Sequence, residues 1–247
     1  MQKPLSDSHA IPRSAFVPSF QDDESPGSAF LFPTSPTGIR RTSSSWAEPM
    51  LCGDCETKLN RSYDSYGIGV LKGQGVTIHS EPDGIWLCGI ESKRLRAFFL
   101  SILWRASISS RPQYAEVKLE AGVNEAFRQA FQNDLPIPWI NFEVGLYRLR
   151  SNLLDPPRQD VASREFIISP RPVNYGEFAS MMFTMFGFVV EICFPKPPKR
   201  LVKNKGRSML KPRKTIVFAP FHEFKDFPPL VEVMEAQRVF QELQSVG

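Results

Sequence analysis

Two cysteines separated by two residues, Cys52 and Cys55, have the spacing in this chain that most directly suggests chemistry. A tight turn of this length can point both sulfurs to one side, where two thiolates can hold the same Zn²⁺ ion. Two of the four cysteines have this spacing, which favours metal binding in a reducing compartment over a disulfide framework. Cys88 and Cys193 lie in apolar, strand-like segments, so we interpret them as buried structural thiols.

The positive charge of the chain is concentrated in the segment 196–214. This segment has nine basic residues and no acidic one, whereas the rest of the chain has 21 basic and 26 acidic residues. Such a segment can make sequence-independent contacts to nucleic-acid phosphates, and the candidate contact residues are Lys199, Arg200, Lys203, Lys205 and Arg207. The alternative is a solvated loop between two strands. The segment contains no aromatic residue, so base stacking is not indicated.

The periodicity of apolar residues predicts four helices, and the first of them positions the cysteine pair. A segment with helical character begins at the cysteine pair, covers 54–66 and is predicted to stop at Gly67. The strongest helix prediction covers 91–109, where apolar residues recur every three or four positions. A second helix is predicted over 120–132, ended by prolines, and a last one over 230–243.

Strands are predicted between and after these helices, where the apolar period becomes two or the apolar run is continuous. The first pair, 76–79 and 85–88, is joined by a Glu-Pro-Asp-Gly turn. A short strand at 29–32 precedes it, and 215–219 is predicted to pair with 188–194. Further strands are predicted at 142–144, 147–149, 165–168 and 181–184. The chain is therefore predicted to be α+β, with a small metal-type module at 1–67 and a helix-then-antiparallel-sheet body at 68–247.

The N-terminal region contains two motifs: Ser6-Asp7-Ser8-His9-Ala10-Ile11-Pro12 and, after a long loop, Met50-Leu51-Cys52-Gly53-Asp54-Cys55-Glu56. Together they resemble the module of HNH-endonuclease-like treble-clef proteins. The order and spacing are most similar to an uncharacterised bacterial group with an SHIIP-type turn and an LLCxxCE knuckle. Its SxxWR-like helix is matched by Ser101-Ile102-Leu103-Trp104-Arg105. The resemblance is strongest over 5–66 and weaker to about 110.

The resemblance implies a treble clef in which Cys52 and Cys55 hold a structural Zn²⁺. In the related group, a second CxxC just before the SHIIP-type turn supplies the other two ligands. Residues 1–4 contain no cysteine. Either the true chain begins further upstream with the missing pair, or the zinc site has decayed, and His9 is a candidate substitute ligand.

The resemblance further implies that His9 is a general base, beside a catalytic Mg²⁺ or other divalent ion bound by Glu56. The family has an acidic residue where this chain has Ser8, and a histidine on the helix where it has Glu56. One hypothesis is thus a metal-dependent nucleic-acid-processing protein, such as a phosphodiesterase with a degenerate site. The alternative is a non-catalytic nucleic-acid- or protein-binding protein that uses the treble clef as a scaffold. A third hypothesis places the function in the body.

The remaining histidines and Arg105 have simpler interpretations. His79 is predicted to face solvent from a strand, His222 to lie in a surface loop, and Arg105 to form a structural salt bridge. No apolar run reaches the roughly 18 residues that span a bilayer, and the first nine residues have no apolar core of a secretion signal. We therefore expect a cytoplasmic protein without a membrane partner.

Overall fold

Helices and strands both contribute substantially to the structure, a computed structural model, so the chain is an α+β protein. The described residues are 4–16, 29–31, 40–42, 46–133, 135, 137, 142–150, 167–176, 178–197, 208–211, 213–223, 226–228 and 231. The predicted helix over 230–243 lies outside this part except for residue 231. The candidate contact residues Lys199, Arg200, Lys203, Lys205 and Arg207 lie wholly outside it.

The helices follow the sequence pattern closely in the middle of the chain. They are α1 (Arg13–Phe16), α2 (Gly53–Leu59), α3 (Ser65–Leu71), α4 (Ser92–Ile108) and α5 (Ala121–Asn133). Helices α4 and α5 confirm the predictions over 91–109 and 120–132. A π-helical turn, Asn60–Asp64, joins α2 to α3 without a break. A short 3₁₀ helix, Pro112–Tyr114, follows α4.

The predicted helix stop at Gly67 is wrong, because this glycine lies inside α3. A Cβ atom built on Gly67 would lie 2.1 Å from Cδ1 of the Phe98 ring in α4. Gly67 therefore allows α3 and α4 to approach closely, and its function is in packing rather than in helix termination.

Helix α4 is buried on nearly all sides. Helices α3 and α5 pack against it, and the ring of Phe99 contacts the ring of Phe183 in the nine-stranded sheet described below. The apolar residues that recur every three or four positions in its sequence lie in the core. The polar positions Arg96, Ser101 and Arg105 are also buried, however. Buried polar groups of this kind need hydrogen-bond partners, so they mark where α4 makes specific contacts.

The strands form one two-stranded and one nine-stranded sheet among the described residues. They are β1 (Leu5–His9), β2 (Ala29–Leu31), β3 (Arg40–Thr42), β4 (Ala47–Cys52), β5 (Thr77–Glu81), β6 (Gly84–Cys88), β7 (Glu143–Arg150), β8 (Ile167–Asn174), β9 (Ala179–Met185), β10 (Phe188–Cys193) and β11 (Ile216–Glu223). The order in the large sheet is β3-β2-β8-β9-β10-β7-β11-β6-β5. Its pairs are antiparallel except β2 with β8 and β11 with β7.

The predicted pairing of 215–219 with 188–194 is wrong. Both edges of β10 are already occupied, by β9 on one side and β7 on the other. Strand β11 instead pairs antiparallel with β6 through Ile216–Pro220, and parallel with β7 through Phe221–Glu223. It therefore joins the early β5–β6 hairpin to the strands of the C-terminal half.

Strands β2 and β3 belong to the same nine-stranded sheet, although they lie within the predicted module 1–67. The small sheet consists of β1 and β4 alone and runs directly into α2. In the part of the chain that the structure describes, no helix is both long and apolar enough to cross a membrane.

Candidate functional site

The strand pair β1–β4, called the hairpin here although α1, β2 and β3 lie between its strands in the chain, and helix α2 carry four of the predicted site residues: His9, Cys52, Cys55 and Glu56. The chain turns from β4 into α2 at Cys52, whose backbone is extended (φ −72°, ψ 156°), and this confirms a helix opening at the cysteine pair. Helix α2 then lies against β1. A Cβ atom at Gly53 would be 3.5 Å from Oγ of Ser6, and Glu56, one turn later, hydrogen-bonds Ser8.

The strand register separates His9 from the cysteine pair. Leu5 pairs with Cys52, whereas His9 pairs with Ala47 at the other end of the hairpin. Four residues of strand span about 13 Å, and a zinc–ligand bond is only about 2 Å long. The register thus places His9 at the opposite end of the strand pair from Cys52 and Cys55, and its role as a substitute zinc ligand stays a prediction.

The surroundings of Cys52 favour its thiolate form. The backbone N–H of Cys55, then the Cys55 side chain and the backbone N–H of Asp54, hydrogen-bond the Cys52 sulfur and lower its pKa against a smaller opposing effect of burial. Both cysteines are half-buried thiols rather than halves of a disulfide. A thiolate is the species that binds metal, so this geometry fits the chemistry expected at the pair.

A cavity of about 230 Å³ opens beside the two cysteines. Its lining is mainly apolar and comes from β4, α2, α4 and α5: Met50, Leu51, Leu59, Trp104, Ile108 and Phe131. Arg128 and Gln132 of α5 complete it with polar groups. The position of α5 beside the cysteines could not be predicted, because Arg128 is one of two charged residues on an ordinary amphipathic helix.

A structural zinc site at the cysteine pair would need two further ligands, because such sites are almost always four-coordinate. Two adjacent thiols, one with a lowered pKa, fit a soft divalent ion. Within the residues that the structure describes, however, no third His, Cys, Asp or Glu joins them in a group that could hold a metal.

Glu56 lies in a buried polar cluster under the hairpin. Burial raises the pKa of Glu56, while the positive charge of Arg105 and the Ser8 hydrogen bond oppose that rise. The Ser8 hydroxyl accepts a hydrogen bond from the Leu51 N–H (3.2 Å). The same hydroxyl has two acceptors for its proton, the Ser6 carbonyl (3.1 Å) and the carboxylate of Glu56. Oε2 of Glu56 is buried without a hydrogen-bond partner in the described part of the chain.

Beneath this cluster lies a buried ion pair. Arg105 is fully buried and donates two hydrogen bonds to the carboxylate of Asp64, at 2.9 and 2.7 Å. Its guanidinium also donates to the carbonyl and the hydroxyl of Ser101. The predicted structural salt bridge of Arg105 is thereby confirmed. Its partner, Asp64 in the π-helical turn, had no recognisable signal in the sequence.

His9 lies at the edge of the same region. Burial, followed by the positive charges of Arg13 and Arg105, lowers the pKa of His9 against the opposing effect of Asp7. The imidazole is therefore largely neutral near pH 7, which is the form that can accept a proton. Nε2 of His9 is buried, and among the described residues no hydrogen bond or ion pair joins His9 to Glu56.

The other candidate side chains have the following positions. His79 is exposed on β5, as predicted, and Cys193 is buried in β10, while Cys88 is only half-buried at the end of β6. The prediction that His222 lies in a surface loop is wrong. This histidine is part of β11, where its ring contacts Tyr147 (4.8 Å between centroids).

Comparisons with known proteins identified no relative of this chain. No protein family, no curated protein and no solved structure matches the chain.

Proposed function

We propose that this chain is an HNH-like, metal-dependent protein that processes nucleic acid, with a treble clef formed by β1, β4 and α2. The observation that carries the proposal is the position of α2 across β1. It sets Glu56 of the helix against Ser8 of the strand, next to His9, while the cysteine pair opens the same helix. In chain order β1 is followed by α1, β2 and β3 before β4 and α2, and the strand–strand–helix arrangement of β1, β4 and α2 supports the proposal.

In this proposal His9 is the general base. Its neutral imidazole takes a proton from the water that attacks the phosphodiester. Glu56 offers a carboxylate oxygen that has no other partner in the described part, and carboxylate oxygens are ligands that Mg²⁺ accepts. A divalent ion bound there would supply stabilisation of the negative charge on the leaving oxygen.

The second candidate is a non-catalytic nucleic-acid-binding protein on the same scaffold. A specific observation favours it: Nε2 of His9 and Oε2 of Glu56 are both buried, and in the described part of the chain no hydrogen bond or ion pair joins the two residues. A catalytic site of this kind has to open before water and substrate reach both atoms. A scaffold that only binds nucleic acid needs no such opening.

A plasmid-nicking assay with Mg²⁺, Mn²⁺ or Zn²⁺ separates the two candidates. We expect the wild type to nick DNA, and His9→Ala to lower the rate by about 100-fold or more, because the variant loses the general base. His79→Ala is the matched control, since His79 is exposed on a strand away from the hairpin module. Equal rates for wild type and His9→Ala would exclude His9 as the base. Binding without nicking by the wild type would favour the second candidate.

Metal content tests the zinc part of the proposal separately. We expect purified protein to contain about one equivalent of zinc, measured by elemental analysis, and Cys52→Ser to lose it, because two thiolates form half of a structural site. Cys88→Ser is the control, since Cys88 lies on β6 outside the hairpin module. Folded wild type without zinc, or zinc retained by Cys52→Ser, would contradict the site.

A further inference from the structure

Two arginines from different parts of the chain converge on the end of the hairpin that carries His9. Arg13 begins α1, four residues beyond His9. Arg111 follows α4, and its guanidinium donates a hydrogen bond to the carbonyl of Ala47, the residue that pairs with His9 in the register. We call the surface formed by His9, Arg13 and Arg111 the arginine face.

The positive charges of the arginine face are available to a ligand. Both side chains are exposed, and among the described residues neither forms an ion pair. Glu48 lies near Arg111, but its carboxylate already accepts hydrogen bonds from the hydroxyls of Ser109 and Ser110 and from the Ser110 N–H. Arg111 donates to a single carbonyl and keeps further N–H groups for other acceptors.

Nε2 of His9 and Nε1 of Trp46 are among the buried polar atoms at this end of the hairpin that have no hydrogen-bond partner in the described part. Trp46 precedes the residue that pairs with His9, and only 4% of it is exposed. Its ring meets Phe16 of α1 at 5.0 Å and Tyr114 at 5.9 Å, so it lies where α1 and the segment after α4 come together. Buried N–H groups almost always have an acceptor in folded proteins.

The charges around His9 have one dominant sign. Arg13, Arg105 and Arg111 all lower its pKa, and Asp7 is the acidic residue that opposes them. The charge of Arg105 is compensated by Asp64 in the buried ion pair. Arg13 and Arg111 are therefore the cations left at this surface, with Asp7 near His9 and Glu48 near Arg111 as the acidic groups beside them.

We propose that the arginine face binds the phosphate backbone of a nucleic acid, with Arg13 and Arg111 as the phosphate contacts. This inference rests on the proposed function and names contact residues for it that lie far in sequence from the basic segment 196–214. Arginine suits the role because its planar guanidinium can donate two parallel hydrogen bonds to one phosphate. A backbone held in this way lies beside His9, which is the position that a phosphodiester needs if His9 acts on it.

The test measures binding of a short labelled DNA duplex by fluorescence anisotropy over a series of salt concentrations. For Arg13→Ala combined with Arg111→Ala, we expect the slope of log K against log salt to become shallower by about 1.8, because each lost phosphate contact contributes about 0.9. At about 0.1 M salt the affinity should fall by roughly 10- to 100-fold. The control combines Arg61→Ala with Lys93→Ala. These are exposed cations near the opposite end of α4, and we expect them to leave the slope unchanged.

The outcomes separate this inference from the proposed function. The role of the arginine face is excluded if the wild type binds DNA and the double variant keeps the wild-type salt slope. It is also excluded if the control variant loses as much slope as the double variant. In both cases the proposed function stands. If the wild type binds no nucleic acid at all, both fall. The single variant Arg13→Ala is included in case the double variant does not fold. Arg13 has no ion-pair or hydrogen-bond partner among the described residues, so this variant should fold and should make the salt slope shallower by about 0.9.

Discussion

Asp64→Ala is expected to lower the free energy of unfolding by about 3–5 kcal/mol, because it leaves the fully buried Arg105 without its carboxylate partner. Its buried positive charge is then left without a counter-charge. Its remaining hydrogen bonds, to Ser101, do not compensate the charge. Urea unfolding followed by circular dichroism measures the loss.

The matched control is the exposed pair Arg128–Glu125 on α5, which has a similar 2.6 Å separation but about half-exposed side chains. Glu125→Ala should leave the unfolding midpoint essentially unchanged, since solvent screens such a pair. Replacing both buried partners, with Asp64→Leu and Arg105→Met, should recover much of the stability. An Asp64→Ala variant as stable as the wild type would show that the buried charge is hydrated.

Gly67→Ala and Gly69→Ala are expected to change stability in opposite directions, although both lie in α3. A methyl group at Gly67 would fall 2.1–2.7 Å from three ring atoms of the fully buried Phe98, so helix α3 must move away from α4. We expect a loss of about 3 kcal/mol in the free energy of unfolding. At Gly69 the nearest atom is Oε1 of Gln74 at 3.6 Å, and alanine there should stabilise by about 0.5–1 kcal/mol.

Denaturant unfolding of the two variants and the wild type provides the comparison. The cost of Gly67→Ala should shrink when it is measured in a Phe98→Leu background, because the smaller side chain leaves room for the methyl group. Equal effects at the two glycines would indicate that helix propensity, not the contact with Phe98, governs this position.

Local patterns predicted much of the fold. Helix α4, helix α5 and the β5–β6 hairpin follow from periodicity and turn residues that lie within a single stretch of sequence. The same is true of the helix start at Cys52. In each case the interactions that decide the structure connect residues a few positions apart, so a single sequence contains them.

The features that could not be predicted depend on contacts between distant segments. Asp64 and Arg105 are 41 positions apart, and nothing around Asp64 distinguishes it from a surface residue of a helix. Gly67 was interpreted as a helix stop because its packing partner, Phe98, is not visible in the local pattern. The convergence of Arg13 and Arg111 on His9 likewise exists only after the hairpin and the segment following α4 have come together.

The position of β11 sets the order in which the protein can assemble. Its residues Ile216 and Val217 pair with Cys88 and Leu87, which precede them by about 130 positions, and the same strand continues alongside β7. Closing so long a loop is entropically costly, and contacts of this range slow folding. During synthesis the β5–β6 hairpin must therefore wait, with one edge unpaired, until β11 emerges from the ribosome. Over that interval the unpaired edge of β6 is open to pairing with another chain, which makes it the place where nascent molecules would aggregate.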